Sequence, residues 1–185
     1  MAEGVLQETE SKMQKAVEIL KRDLAGIRTG RASPALLQNI RVDYYGVPTP
    51  INQMATITAP DPRYLIVTPY DRSVLSAIEK AILKSDLGLV PSNDGTIVKL
   101  PIPPLSEERR NDLVKLVKKR TEESKIALRN VRRDAMETLR VQEKEKEISQ
   151  DEHLRLSSLL QKLTDGYIVQ VSKVGETKET DLLKG

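Results

Sequence analysis

Apolar residues recur at helical spacing through both ends of this chain and at strand spacing only in its middle. Between Met1 and Gly30, the residues Met13, Ala16, Val17, Leu20, Leu24 and Ile27 step by three and four. That spacing puts them on one face of an amphipathic helix, which Gly30 stops. A second pattern starts after Pro103-Pro104-Leu105, where Ser106 is placed to cap a helix whose first turn holds Glu107 and Glu108, carboxylates suited to a helix's positive end. Leu113, Val117, Leu128, Val131, Ala135 and Leu139 form its apolar stripe, and the spacing predicts one helix from about Glu107 to Glu147. Ser149 and Glu152 stand three apart, as in a capping box, and predict a break followed by a last helix. Its stripe is Leu156, Leu159, Leu160, Leu163, Tyr167, Val171 and Val174. The tail after Val174 carries a glycine, and Leu182 and Leu183 are expected to fold back or fray.

Three such stripes cannot each face water, so the two flanks, residues 1–30 and 105–185, are expected to pack together as one three-helix bundle. A helix from Glu107 to Glu147 would be roughly 60 Å long, which predicts an elongated molecule. The middle block, residues 31–104, reads as an inserted small β/α/β domain, giving an α+β chain. Ile40 to Tyr45, Ala55 to Thr58, Tyr64 to Thr68 and Thr96 to Leu100 are the predicted strands, rich in β-branched and aromatic residues. Val74, Ala77, Ile78, Ala81 and Ile82 predict a helix that Ser73 or Asp71 caps and Gly88 follows. The Tyr44-Tyr45 pair is expected to have one ring buried and one exposed, as strand alternation requires. The two connections, at Gly30 and Arg31 and at Pro103, Pro104 and Leu105, predict a two-stranded hinge.

Composition narrows the chemistry. All ten prolines fall between Pro34 and Pro104, so only the flanks can hold long uninterrupted helices. The absence of cysteine excludes disulfides, thiolate nucleophiles and cysteine metal sites, and the single histidine, His153, has no partner for a zinc cluster. His153 is expected to be a surface residue without a role. No metal site and no cofactor are expected. The opening residues have neither a basic segment nor an apolar one, and no apolar run is long enough to span a bilayer, so the expectation is a cytoplasmic protein with no membrane partner. No phosphate-binding or dinucleotide-binding glycine pattern occurs. No nucleophile, base and oxyanion set can be assembled, so no catalytic residue is expected.

Net charge is only +3, but it is unevenly spread. From Arg109 to Arg133 there are ten basic and three acidic residues, a surplus of +7, whereas Asp134 to Glu152 has three basic and seven acidic, −4. At about 100° per residue, Lys118, Lys125, Arg129 and Arg132 fall within roughly 60° of one another, beside the apolar stripe, with Arg133 at the edge. They form a solvent-facing ridge that Glu122 interrupts. Solubility would be served by lysine and glutamate, whereas the guanidinium fork of the arginines suits phosphate oxygens. The residues alone therefore reach an RNA-binding or protein-docking module.

Six strings in order carry a further resemblance: IRTGRASPALL from Ile27, YYGVPTP from Tyr44, KAILKSDLGLVP from Lys80, PIPPLSEERR from Pro101, RNVRRDA from Arg129 and QKLTD from Gln161. Together they resemble the ribosome recycling factor family over nearly the whole chain. The resemblance implies a monomeric cytoplasmic translation factor that splits the post-termination ribosome together with elongation factor G, the partner that hydrolyses GTP. It also implies that the bundle lies on large-subunit ribosomal RNA. Arg110, Arg129 and Arg132 match the family positions that contact that RNA, which gives the ridge of Lys118, Lys125 and Arg133 its expected target.

Overall fold

The computed structural model describes residues 2–184, which form two compact units. One unit runs from the N-terminus to Arg28 and resumes at Glu107–Lys184; the other is Thr29–Ser106. The chain is α+β: three long helices build the first unit and a small sheet domain the second.

The bundle helices are α1 (Ala2–Ala25), α4 (Glu107–Lys144) and α5 (Gln150–Lys184), and each packs against the other two. The first stops at Ala25, before Gly26, rather than at Gly30. Half of the predicted capping box is present: the Glu152 amide donates to Ser149 Oγ at 3.0 Å, while the Glu152 carboxylate accepts from Arg155 Nη2 at 2.8 Å. Buried residues in α4 are Leu113, Val117, Thr121, Ser124, Leu128, Ala135 and Leu139; in α5 they are Leu156, Leu160, Thr164, Tyr167, Val171, Gly175 and Leu182. Both series step 4, 4, 3, an eleven-residue repeat, and Thr9, Met13, Val17, Leu20 and Leu24 continue it in α1. A period of 11/3 lies close to the helix's own 3.6, so the buried face drifts less per turn than a heptad seam does and imposes no left-handed supercoil.

Small or polar residues recur within this repeat. Thr9, Thr121 and Thr164 are buried there, and each hydroxyl donates to the carbonyl four residues earlier, Val5, Val117 and Leu160, at 2.6, 2.8 and 2.7 Å. The polar group is thus satisfied within its own helix and asks nothing of the core. Gly175 occupies the same kind of position, and a Cβ there would overlap Thr121 Oγ1 and sit 3.0 Å from its Cγ2. The glycine that suggested a frayed tail is therefore where α5 packs tightly on Thr121 of α4, and the helix continues through it to bury Leu182. Leu159, placed on the stripe by spacing, is instead 39% exposed, because the repeat selects Leu156 and Leu160. The Lys178 side chain also falls on this repeat, and burial holds its ammonium below the usual range against the pull of Asp181.

The second unit holds a two-stranded sheet, β1 (Arg41–Tyr44) with β2 (Val47–Pro50), and a four-stranded antiparallel sheet in the order β3-β4-β6-β5. The strands of the latter are β3 (Ala55–Asp61), β4 (Tyr64–Pro69), β5 (Ser92–Asn93) and β6 (Val98–Pro101); α2 (Ile51–Met54) and α3 (Leu75–Lys84) complete the unit. Its core is aliphatic, with Leu37, Ile51, Leu65, Ile78, Ile82 and Leu100 fully buried. Before α3, Asp71 Oδ1 accepts from the Ser73 amide at 2.9 Å and caps a 3-10 turn. Strand β2 escapes the sequence reading because Pro48 and Pro50 mark it as loop. Tyr45 also departs from expectation: with Gly46 it forms the hairpin turn (φ 50° and 85°) instead of lying in a strand. Both rings of the tyrosine pair are therefore exposed, 39% at Tyr44 and 80% at Tyr45.

The α4–α5 approach sets two opposite expectations for glycine. Gly175→Ala gains helix propensity of at most about 1 kcal/mol, but the overlap with Thr121 forces the helices apart, and a net loss of about 1–3 kcal/mol is expected. Gly166→Ala meets nothing within 4 Å on the same helix and is expected to stabilise by about 0.5–1 kcal/mol. Urea unfolding followed by circular dichroism measures both; a stabilised Gly175→Ala would disprove the tight contact.

Candidate nucleic-acid interface

The ridge lies on the N-terminal part of α4, on the side that turns toward α5. Arg110, Thr121 and Arg132 are each eleven positions after the last, as are Lys118 and Arg129. The basic positions thus share the period of the core, and a nearly straight core keeps them in line along one side of the helix.

Sharing the core's period makes the members unequal. Lys118, Arg129 and Arg133 are exposed, whereas Arg110, Lys125 and Arg132 are half-buried. This corrects the picture of a uniformly solvent-facing ridge. Arg132 falls one repeat after Thr121, so its aliphatic stem lies along the core edge and only its head reaches out. Its Nη1 donates to Gln161 Oε1 on α5 at 3.1 Å, and Gln161 Nε2 donates in turn to Asp165 Oδ1 at 2.9 Å. Two groups of α5 therefore orient the guanidinium and leave its other N–H groups free to donate. Arg110 is also partly enclosed, and its Nε is buried without a hydrogen-bond partner. Nothing in the sequence marks Gln161 as part of the ridge except its place in the QKLTD string.

Neutralisation along the ridge is slight. Glu122 meets Arg129 Nη1 at 3.6 Å, with both side chains about half exposed, and such a pair contributes about 0–1 kcal/mol. Arg120 pairs with Glu123 at 3.5 Å, on the side that faces α1. Among the described residues, Lys118, Lys119, Lys125 and Arg133 have no ion-pair partner. The surface is consequently a row of cations with fixed spacing and little internal compensation, which is what a chain of phosphates can bind.

Other candidates do not assemble into a site. His153 is not a free surface residue: its Nδ1 pairs with Glu143 and joins the ends of α4 and α5. Among the described residues, no group of three or more His, Asp or Glu could hold a metal ion, and no helix is long and apolar enough to cross a membrane. The connecting segments are anchored within the second unit. Gly30 (φ 75°) is buried against Leu105, the Ala32 amide donates to Pro62 C=O, and the Ile102 amide donates to Arg63 C=O, both at 2.7 Å. The incoming and outgoing chains are thus fastened to neighbouring residues of the β3–β4 turn.

The family model for ribosome recycling factor matches residues 20–183. A ribosome-recycling factor of Dehalococcoides mccartyi is 59% identical over 182 residues, 98% of each chain, and that of Halalkalibacterium halodurans is 52% identical over 184 residues, the whole of both. Among solved structures, a solution structure of the ribosome recycling factor aligns over 100% of this chain and 98% of that one, with TM-score 0.80 and 43% identity. A second is described as models for the T. thermophilus ribosome recycling factor and the E. coli elongation factor G bound to the E. coli post-termination complex. It covers 99% of both chains with TM-score 0.67 and 49% identity. A match that includes the ridge, both units and both connections leaves one assignment: the chain belongs to the ribosome recycling factor family.

Proposed function

We propose that this chain recycles ribosomes after termination: it binds large-subunit ribosomal RNA through the α4 ridge and, with elongation factor G, separates the subunits. As a member of its family it is a translation factor and not an enzyme, so the energy for splitting comes from GTP hydrolysed by the partner. The observation that carries the reading is the row of cations on α4, compensated only by Glu122 at Arg129, joined to a relative described together with elongation factor G on a post-termination complex. It acts as a monomer in the cytoplasm, where that complex is found.

The parts divide the work. Arg110, Arg129 and Arg132 grip phosphates, with Lys118, Lys125 and Arg133 adding charge. Gly30, Arg31, Pro103, Pro104 and Leu105 form a hinge, stiffened on one side by the proline pair and fastened on both sides to the β3–β4 turn. The inserted unit is then the arm that the partner moves, and α4 transmits the force.

Light scattering of post-termination ribosomes with elongation factor G and GTP tests the function: the signal should fall only when this protein is also present. No fall, despite tight binding to many RNAs, would indicate an RNA chaperone instead. Arg132→Ala is expected to weaken large-subunit binding by about 1–3 kcal/mol and to lower the salt slope by a little under one, since one phosphate contact is lost. Binding titrations from low to physiological salt measure this, and an unchanged slope would remove Arg132 from the phosphate contacts. For the hinge, the Pro103→Gly/Pro104→Gly variant should bind ribosomes as tightly as the parent but split them several-fold more slowly, because a flexible connection dissipates the push. Equal splitting rates in stopped flow would rule out a stiff connection as part of the mechanism.

A further inference from the structure

Strand β1 uses only one of its edges. In the hairpin, Val42 faces Thr49 and Tyr44 faces Val47, and the Ile51 amide continues the ladder by donating to Ile40 C=O at 3.2 Å. The bonded pairs therefore fall at every second residue. Asp43 and Arg41 lie between them, opposite Pro48 and Pro50, and their N–H and C=O groups point away from β2. No strand pairs with that edge, and among the described residues no backbone group bonds to them. The outer edge of β2 is different: the two prolines remove its donors and close it to further pairing.

The open edge of β1 borders a groove of about 960 Å³. Its other wall is Ser73 of the 3-10 turn and one face of α3, where Ser76, Ala77, Lys80, Ala81 and Lys84 recur at helical spacing. Four of these six are serine or alanine, which keeps the groove open. Leu36, Ile40 and Leu87 add apolar surface. The ten residues of α3 extend about 15 Å, the length of four or five residues of extended chain. Unpaired backbone groups on one side and a helix face on the other form the setting in which an extended peptide adds a strand.

Charge selects the occupant. Arg41, Lys80 and Lys84 line the groove, and among the described residues none of them has an ion-pair partner. Two acids also line it, Asp43, whose carboxylate accepts from the Gly46 amide at 2.8 Å, and Asp86, so the groove keeps a surplus of one positive charge. From Thr29 to Ser106 the unit holds seven basic and six acidic residues, net +1, too little to attract a polynucleotide, and a strand edge matches another backbone rather than phosphates. We propose that the groove between β1 and α3 docks an extended acidic segment of a partner protein, which adds to β1 as a third strand. Its carboxylates face Lys80, Lys84 and Arg41, and its small apolar side chains rest against the alanines of α3. The site is separate from the α4 ridge and does not depend on what the ridge binds.

The test uses the full chain, isotope-labelled, and four probes: a blocked hexapeptide alternating valine and glutamate, its valine–lysine counterpart, a version with alternate amides N-methylated, and hexa-adenylate. The valine–glutamate peptide should saturate below about 1 mM, a strength suited to a short strand-adding peptide, and should slow amide exchange at Arg41 and Asp43. The lysine and N-methylated peptides should bind more weakly. The exposed double variant Lys80→Glu/Lys84→Glu should raise the Kd about tenfold, as two surface ion pairs are lost. The proposal is overturned by any of four results: no saturation with the valine–glutamate peptide, equal binding of the N-methylated one, unaltered exchange at both amides, or preferential binding of the oligonucleotide.

Discussion

The close approach of α5 to α4 at Gly175 and Thr121 is the contact on which the bundle depends. Gly175 leaves no room for even a methyl group there, and it stands on an eleven-residue repeat that all three helices share. In a helix of 3.6 residues per turn, eleven residues return to the same face with a drift of about 20°, the error a heptad accumulates in only seven. Long helices can therefore stay together without winding around each other. Because Arg110 and Arg132 stand on the same repeat as Thr121, the straightness of the core also determines that of the ridge. Packing and the line of the cations are one constraint here.

The second unit solves a different problem. It has no long periodic element, so its stability comes from a compact aliphatic core and from turns that are capped locally. Asp94 is an example: its Oδ1 accepts from the Thr96 and Ile97 amides and from Thr96 Oγ1, which holds the carboxyl down at about 2. That turn keeps its carboxylate acceptor until the pH falls to about 2. Proline defines which edges of the sheets are available, closing β2 and leaving β1 open.

Long-range periodicity made the bundle readable in advance, because an apolar stripe that recurs through a proline-free flank fits an amphipathic helix and little else. What the pattern could not convey was the partner on the far side of each contact. Gly175 looked like a helix terminator because its lack of a side chain makes sense only once Thr121 is opposite it. Arg132 looked exposed because angular position on one helix does not reveal where the neighbouring helix begins, and so Gln161 was missed as its anchor. Strand β2 was hidden by its prolines, which are permitted where they face the unbonded positions of β1. Each omission arose where a local rule was overridden by a neighbour distant in sequence. Arg110 is the reverse case: resemblance supplied it, since its angle on the helix places it nearer the apolar stripe than the other cations.

The uneven charge of α4 bears on the register in which such a ridge could bind. Its basic surplus ends at Arg133: beyond it α4 holds Asp134, Glu137 and Glu143 against Arg140 and Lys144, and the other acids up to Glu152 lie in the turn before α5 and in its first residues. From Thr121 to Glu143 along the helix is about 33 Å, several times the Debye length of about 8 Å at physiological ionic strength. Glu143 therefore does not weaken the middle of the ridge through solution, whereas Asp134 and Glu137, within about one turn of Arg133, lie inside its screening distance. On the reading that the ridge follows a phosphate backbone, residues 109–133 are attracted to it, while the last turns of α4, residues 134–144 with a net charge of −1, add no attraction. Sliding α4 along the RNA by a few turns would exchange cations for nearly neutral surface. A helix with uniform positive charge would hold RNA more tightly but in many registers. On the proposed reading, in which the factor transmits a push, one register is needed, and a positive segment that ends at Arg133 favours one over its neighbours.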